Sequence, residues 1–197
     1  FGMASPDVVA AIHAEYAASG ARVVTTNAFG ATRHKLPAGL DVFGVNETMA
    51  RTARQAVGEG VFVAGSVGPT GKMVEPLGDI TFRGLVDIFK EQIRGLAAGG
   101  VDLILGETQF DLAEVRAVVV AAREVCDLPV GISMTFEGGL SLTGTSPEVF
   151  ARTMENMGVD LIGSNCSAGP EELILVARAI LASCDTPVLI EPNAGLP

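Results

Sequence analysis

The sequence predicts an α/β fold, and three observations carry that prediction. Short apolar runs alternate with helical patterns six times along the 197 residues. Each run is continuously apolar rather than alternating, as in strands whose two faces are both covered. Each also ends in a polar residue: Asn27, Ser66, Glu107, Thr135, Cys166 and Asn193. Strands joined by helical crossovers form a parallel sheet of right-handed units.

Taken in order, Ser5-Pro6 reads as a helix start, with Ser as cap and Pro at the first helical position. Val9, Ile12 and Tyr16 follow at helical spacing, and Gly20 ends the run. Residues 22–27 read as a strand. A loop through Gly30, His34, Pro37 and Gly39 leads to a helix whose apolar face is Val42, Val45, Met49, Ala53 and Val57. The second strand spans 61–66, and a long Gly- and Pro-rich loop follows, 67–80. Phe82, Leu85, Phe89, Ile93 and Leu96 mark a long amphipathic helix. Residues 101–107 form a strand ending in Glu107. Asp111 and Glu114 resemble a capping box on the next helix. A strand at 129–135 precedes a loop with Gly138, Gly139 and Gly144. Ser146-Pro147 then opens a helix with Phe150, Met154 and Met157 inward. The strand carrying Cys166 follows, then a helix started by Pro170, and a last strand over 187–190.

Two architectures fit, a doubly wound open sheet and a (β/α)8 barrel of the TIM type. Polar residues at all six strand ends favour the barrel, where those ends converge on one site. In an open sheet only the ends near the switch point would be used. Six units are two short of eight, and a barrel takes roughly 250 residues. The expectation is a single, partial barrel domain over 1–197, with one strand missing before Phe1 and one strand with its helix after Pro197.

The composition, 48% hydrophobic and 18% charged, is that of a globular chain with a real core. No apolar run reaches the roughly 18 residues that span a bilayer, and no signal peptide is visible, so neither membrane nor export is expected. A net charge of -10 without a basic cluster argues against a nucleic-acid partner. Three cysteines do not make a disulfide framework and fit a cytoplasmic setting.

Cys166 is the residue to weigh. A cysteine in an apolar strand is commonly a small core residue. One delivered to a strand exit, beside the polar ends of five others, can instead face a cleft. Glu107 follows a largely apolar strand, so its carboxylate must be paired or bind a ligand. Cys126 and Cys184 precede strands, which puts them at the opposite end, as structural residues. His34 reads as a loop residue. Gly71-Lys72 is not a phosphate loop, because the G-x-x-x-x-G-K-[ST] spacing fails and Met73 replaces the hydroxyl. A Schiff-base lyase or aldolase would need a strand lysine, and Lys35, Lys72 and Lys90 are not on predicted strands. A non-catalytic barrel that binds an amino acid or a partner protein is a further alternative.

Several segments together resemble one family. Thr26-Asn27-Ala28-Phe29-Gly30, Ala64-Gly65-Ser66-Val67-Gly68-Pro69-Thr70-Gly71, Glu75-Pro76-Leu77-Gly78, Glu107-Thr108-Gln109-Phe110-Asp111, Leu142-Thr143-Gly144-Thr145-Ser146, Ser164-Asn165-Cys166-Ser167 and Pro192-Asn193-Ala194-Gly195 match, in order, motifs of the homocysteine S-methyltransferases. The third-loop motifs look closest to the cobalamin-dependent methionine synthase branch. The resemblance implies a barrel with zinc held by three cysteines, of which Cys166 is one. The Gly-Gly-Cys-Cys-Gly motif that carries the other two is not in this sequence. It further implies that Glu107 holds the substrate amino group and that Asn193 is a provisional zinc ligand when substrate is absent. Asn27, Ser66 and Asn165 are then expected around the substrate, although Asn27 and Asn165 could equally cap loops. The implied substrate is homocysteine. The methyl donor is left open among methylcobalamin carried on another domain (or methyltetrahydrofolate), S-methylmethionine and betaine.

Overall fold

The computed structural model describes residues 2–167 and 169–195. Twelve elements alternate: α1 (Pro6–Ala18), β1 (Val23–Thr25), α2 (Val42–Ala56), β2 (Phe62–Val67), α3 (Phe82–Ala98), β3 (Leu103–Gln109), α4 (Leu112–Val125), β4 (Val130–Met134), α5 (Pro147–Asn156), β5 (Leu161–Asn165), α6 (Pro170–Leu181) and β6 (Val188–Glu191). All pairings are parallel, and the strand order is β1-β2-β3-β4-β5-β6. A doubly wound sheet reverses its order at a switch point, and this one never does. Every crossover advances in the same direction, so the sheet curls. Its edges face each other: Val23, Val24 and Thr25 of β1 line one cleft of ≈ 400 Å³ with Glu191 of β6. The fold is thus an open, strongly curled part of a TIM-type barrel, and its gap lies between the first and last strands, as expected.

The helices form an outer layer, and the core fills the space between them and the sheet. Phe89, Ile93 and Leu96 of α3, Val115, Val118 and Ala122 of α4, and Phe150 and Met154 of α5 are fully buried against Ile104, Ile132 and Ile162 of the strands. The rings of Phe136 and Phe150 pack tilted, with centroids 5.9 Å apart. Helix starts follow the local code at three places. The Thr81 hydroxyl accepts from Gly84 N–H, the Asp111 carboxylate from Ala113 and Glu114 N–H, and the Ser146 hydroxyl from Val149 N–H.

The N-terminal ends of the strands carry a repeated clamp. Asp102, just before β3, accepts from Val63 N–H of β2 and pairs with Arg54 of α2. Asp160, just before β5, accepts from Val130 N–H of β4 at 2.8 Å and from Arg123 of α4 at 3.1 Å. These contacts fix neighbouring strands at the face a barrel uses for stability. Cys126 and Cys184 lie at this same end, each donating its thiol to a carbonyl of the preceding helix, Ala122 or Ile180.

Three details differ from the sequence expectation. Among the described residues Ser5 makes no side-chain cap, and Pro6 alone marks the start of α1. The expected stripe of α1 is only partly inward: Val9 and His13 are buried, while Ile12 is 47% and Tyr16 65% exposed. The reason is position, since α1 packs on α2 and β1 at the edge of the curl, and Ile12 and Tyr16 border the open cleft there. The third strand also runs past Glu107 to Gln109, with a shift of register between Gly106 and Gln109 where it pairs with β4.

Both margins of the gap are apolar. Val8, Ile12, Tyr16 and Val23 are exposed on one side, and Ile174 and Leu181 of α6 on the other. Open strand edges with apolar neighbours promote association. This chain by itself is therefore expected to self-associate as its concentration rises, read by size-exclusion or sedimentation, and the double substitution Ile12→Glu/Leu181→Glu should weaken that association. A monomer at all concentrations with one cooperative unfolding transition would contradict it.

Candidate functional site

At the C-terminal ends of the strands, one side chain ties three exits together. Asn165, the last residue of β5, is buried. Its Oδ1 accepts from Thr108 N–H of β3 at 3.0 Å and from the Ser133 hydroxyl of β4 at 2.7 Å. Its Nδ2 donates to the Thr108 hydroxyl at 2.8 Å and to Cys166 Sγ at 3.2 Å. A carboxamide offers two lone pairs on oxygen and two N–H donors, and all four are used here. The amide reaches across β4 to join β3 to β5, which are not neighbours in the sheet.

Two of the residues it holds, and the one that follows Cys166 in the chain, have unusual backbones. Thr108, Cys166 and Ser167 have φ of 55°, 58° and 60°, the left-handed region that β-branched residues avoid. Each such conformation costs roughly 1–3 kcal/mol and persists only where the surroundings enforce it. For Thr108 the enforcement is the pair of bonds to Asn165, within the register shift of β3. For Cys166 it is the Asn165 contact to Sγ together with its own N–H, which donates to Glu191 O at 3.2 Å. The thiol is half-buried, and the Thr108 hydroxyl stands 4.0 Å from the sulfur.

Glu107 precedes Thr108 and is half-buried. The buried Ser66 of β2 donates its hydroxyl to Glu107 Oε1 at 2.5 Å, while its own N–H donates to the Thr26 hydroxyl at 3.0 Å. Glu191 is the last residue of β6. Solvent reaches part of the Glu191 side chain, yet burial of its carboxyl, and secondarily the charge of Glu107, hold its pKa above the ordinary value. The curl thus collects Ser66, Glu107, Thr108, Asn165, Cys166 and Glu191 at its mouth.

Asn193 lies two residues past β6, half-buried. Asn27 is exposed in a different cleft of ≈ 370 Å³ with Gly2, Met3, Phe29 and Met49. Thr135 is half-buried and donates its hydroxyl to Gln109 O. His34 is exposed among Arg33, Lys72 and Asp79. Lys35 and Lys72 lie in loops and Lys90 on α3, so no lysine projects from a described strand.

Two features escaped sequence reasoning. Glu114 was expected to cap its own helix, but its carboxylate turns outward to the loop after β2. Oε1 accepts from both the N–H and the hydroxyl of Thr70 at 2.6 Å each. The side chain is fully buried, and Oε2 has no partner among the described residues. Burial raises its pKa, and the two Thr70 bonds oppose the rise without cancelling it. This anchor fixes the long loop that follows Ser66. The second feature is Glu191, which follows the last strand predicted from the sequence. Its relation to Glu107 exists because the curl brings β6 round toward β3.

Among the described residues no group of three or more His, Cys, Asp or Glu is disposed to hold a metal ion. Cys166 supplies one sulfur donor, so these residues alone do not fit a zinc site, which takes three or four protein ligands. No helix among the described residues is long and apolar enough to cross a membrane.

Residues 2–197 match the family model described as homocysteine S-methyltransferase. The chain is 33% identical to the methionine synthase of Mycobacterium leprae (strain TN) over 208 residues, covering 98% of this chain and 17% of that protein. Identity to the methionine synthase of Mycobacterium tuberculosis (strain ATCC 25618 / H37Rv) is also 33%, over 207 residues and with the same coverage. The chain thus spans 17% of the length of these relatives. Among solved structures, the homocysteine methyltransferase MmuM from Escherichia coli superposes in its metallated form with a TM-score of 0.85 and in its apo form with 0.82. Both are 20% identical and cover 96% of this chain and 73% of theirs, a likeness of fold.

The Glu114 anchor has a pH signature. A carboxyl whose folded pKa lies above its unfolded value binds its proton more tightly when folded. The stability it contributes is complete below the unfolded pKa of about 4.5 and is lost as pH rises through the folded value. Urea unfolding across that range should show stability falling as pH rises, and Glu114→Gln should flatten the fall. An unchanged slope in Glu114→Gln would show that Glu114 is not its source.

Proposed function

Because the chain belongs to the homocysteine S-methyltransferase family, we propose that it forms the substrate-binding part of an enzyme that transfers a methyl group to the thiol of homocysteine, giving methionine, in a zinc-dependent reaction. The observation that carries this reading is the joining of Glu107 and Cys166 through Thr108 and Asn165. It puts a carboxylate and a sulfur ligand at one strand-end mouth, as an amino acid bearing a terminal thiol requires. Glu107 takes the substrate ammonium, with Ser66 fixing one carboxylate oxygen and leaving the other to the ligand. Cys166 is one zinc ligand and Asn193 a provisional one, and the remaining donors come from outside these residues.

The chemistry demands a thiolate, and a free thiol has a pKa of about 8.5. Zinc bound to the substrate sulfur would stabilise the thiolate near neutral pH. In the transfer a sulfur–carbon bond forms as the donor–methyl bond breaks, with the electron pair staying on the donor. The thiol proton is lost to solvent. The third-loop motifs around Gly68–Gly71 and Glu75–Gly78 favour methylcobalamin, carried elsewhere, over S-methylmethionine or betaine as donor. A cytoplasmic setting suits this thiol chemistry.

In the natural full-length gene product, Cys166→Ser is expected to abolish both stoichiometric zinc and methyl transfer, because a hydroxyl does not deprotonate as a thiol does. Cys126→Ser and Cys184→Ser should keep both. Glu107→Gln should raise KM for homocysteine by about tenfold to a hundredfold, the range of a hydrogen bond to a charged group, with zinc retained. Metal analysis and steady-state kinetics read these outcomes. Full zinc content in Cys166→Ser would refute the ligand assignment, and an unchanged KM in Glu107→Gln would refute the amine site.

A further inference from the structure

We propose that Asn165 is a positioning residue that sets the span between the amine site and the sulfur site, and so selects the length of the amino-acid substrate. The proposal rests on the reading of homocysteine as substrate, and it assigns Asn165 a role other than substrate contact. Its Oδ1 is filled by Thr108 N–H and the Ser133 hydroxyl, and its Nδ2 by the Thr108 hydroxyl and Cys166 Sγ. A buried amide with all four positions satisfied has nothing left for a ligand.

What the amide does control is the distance between two chemistries. Thr108 follows Glu107 directly, so the strut to Thr108 fixes where the carboxylate stands. The bond to Cys166 Sγ fixes where the sulfur stands, through a residue held at φ 58°. The strut crosses over β4, and its Ser133 contact keeps it centred on that strand's exit. Homocysteine and cysteine differ by one methylene between amine and sulfur. A rigid span between the two anchors is therefore the means by which this site tells them apart, and one methylene is worth roughly tenfold or more in such a fit.

The test uses the natural full-length gene product and three variants. Two readouts are taken: the ratio of kcat/KM for homocysteine to that for cysteine, and hydrogen exchange of the segment containing Thr108 N–H. Asn165→Ala is expected to speed the exchange and to lower the ratio at least fivefold. Asn165→Asp keeps the acceptor for Thr108 N–H but has no N–H for the sulfur. It should restore slow exchange while the ratio stays low, which separates positioning of the sulfur from support of the fold. Ser133→Ala keeps the Thr108 bonds and the sulfur contact and removes only the centring bond, so exchange should stay slow and the ratio should fall less than in Asn165→Ala. A ratio that survives Asn165→Ala, a ratio restored by Asn165→Asp, or a KM raised equally for both amino acids would each overturn the proposal. If the unsubstituted protein transfers no methyl group to homocysteine, the substrate reading falls and the selection of length falls with it.

Discussion

The Asn165 carboxamide spends all its hydrogen-bonding capacity inside the protein, on residues from three successive strand exits and on the sulfur next to it. A buried amide left half-satisfied would cost roughly 1–3 kcal/mol for each stranded partner. The geometry around it is therefore set within narrow limits. Two left-handed residues, Thr108 and Cys166, are held by the amide itself. Such strain is tolerable because the parallel barrel beneath it is rigid, and it gathers where a ligand would be met.

That rigidity comes from a division of labour between the two ends of the curl. At the N-terminal ends, Asp102 with Arg54 and Asp160 with Arg123 clamp adjacent strands through backbone N–H groups. Between the ends, the apolar faces of α2 to α5 bury the outer side of the sheet. At the C-terminal ends, polar side chains replace apolar ones: Ser66 holds Glu107, Asn165 holds Thr108 and Cys166, and Glu114 holds the loop after β2 at Thr70. The first two layers supply stability. The third spends part of it on a fixed arrangement of a carboxylate, a thiol and the amide between them.

The fold was legible because its signals are local or periodic. Continuous apolar strands, helices with one apolar face, and caps at Asp111 and Ser146 follow from nearest-neighbour sterics and burial. The misreadings have physical causes as well. The stripe Val9, Ile12, Tyr16 has helical spacing, but only tertiary position decides which of its members finds a neighbour. Glu114 has the spacing of a capping box, yet a buried donor pair on Thr70 competes successfully for its carboxylate. Local spacing lists the possible partners of a side chain, and packing chooses among them.

By itself the sequence determined the alternation of six strands and helices, the polar residue at each strand end, and the motifs that place the chain in its family. It could do so because burial of apolar faces and the chemistry of single residues are written along the chain. Only the tertiary structure decided that the sheet runs in one unbroken order and curls until β6 turns toward β1 and Glu191 toward Glu107. It alone decided that Asn27 stands in a separate cleft, and that Asn165 serves Thr108, Ser133 and Cys166 rather than open space. The physical reason is that hydrogen bonds between strand exits join residues 25 to 58 positions apart, and no local pattern encodes which of them will meet.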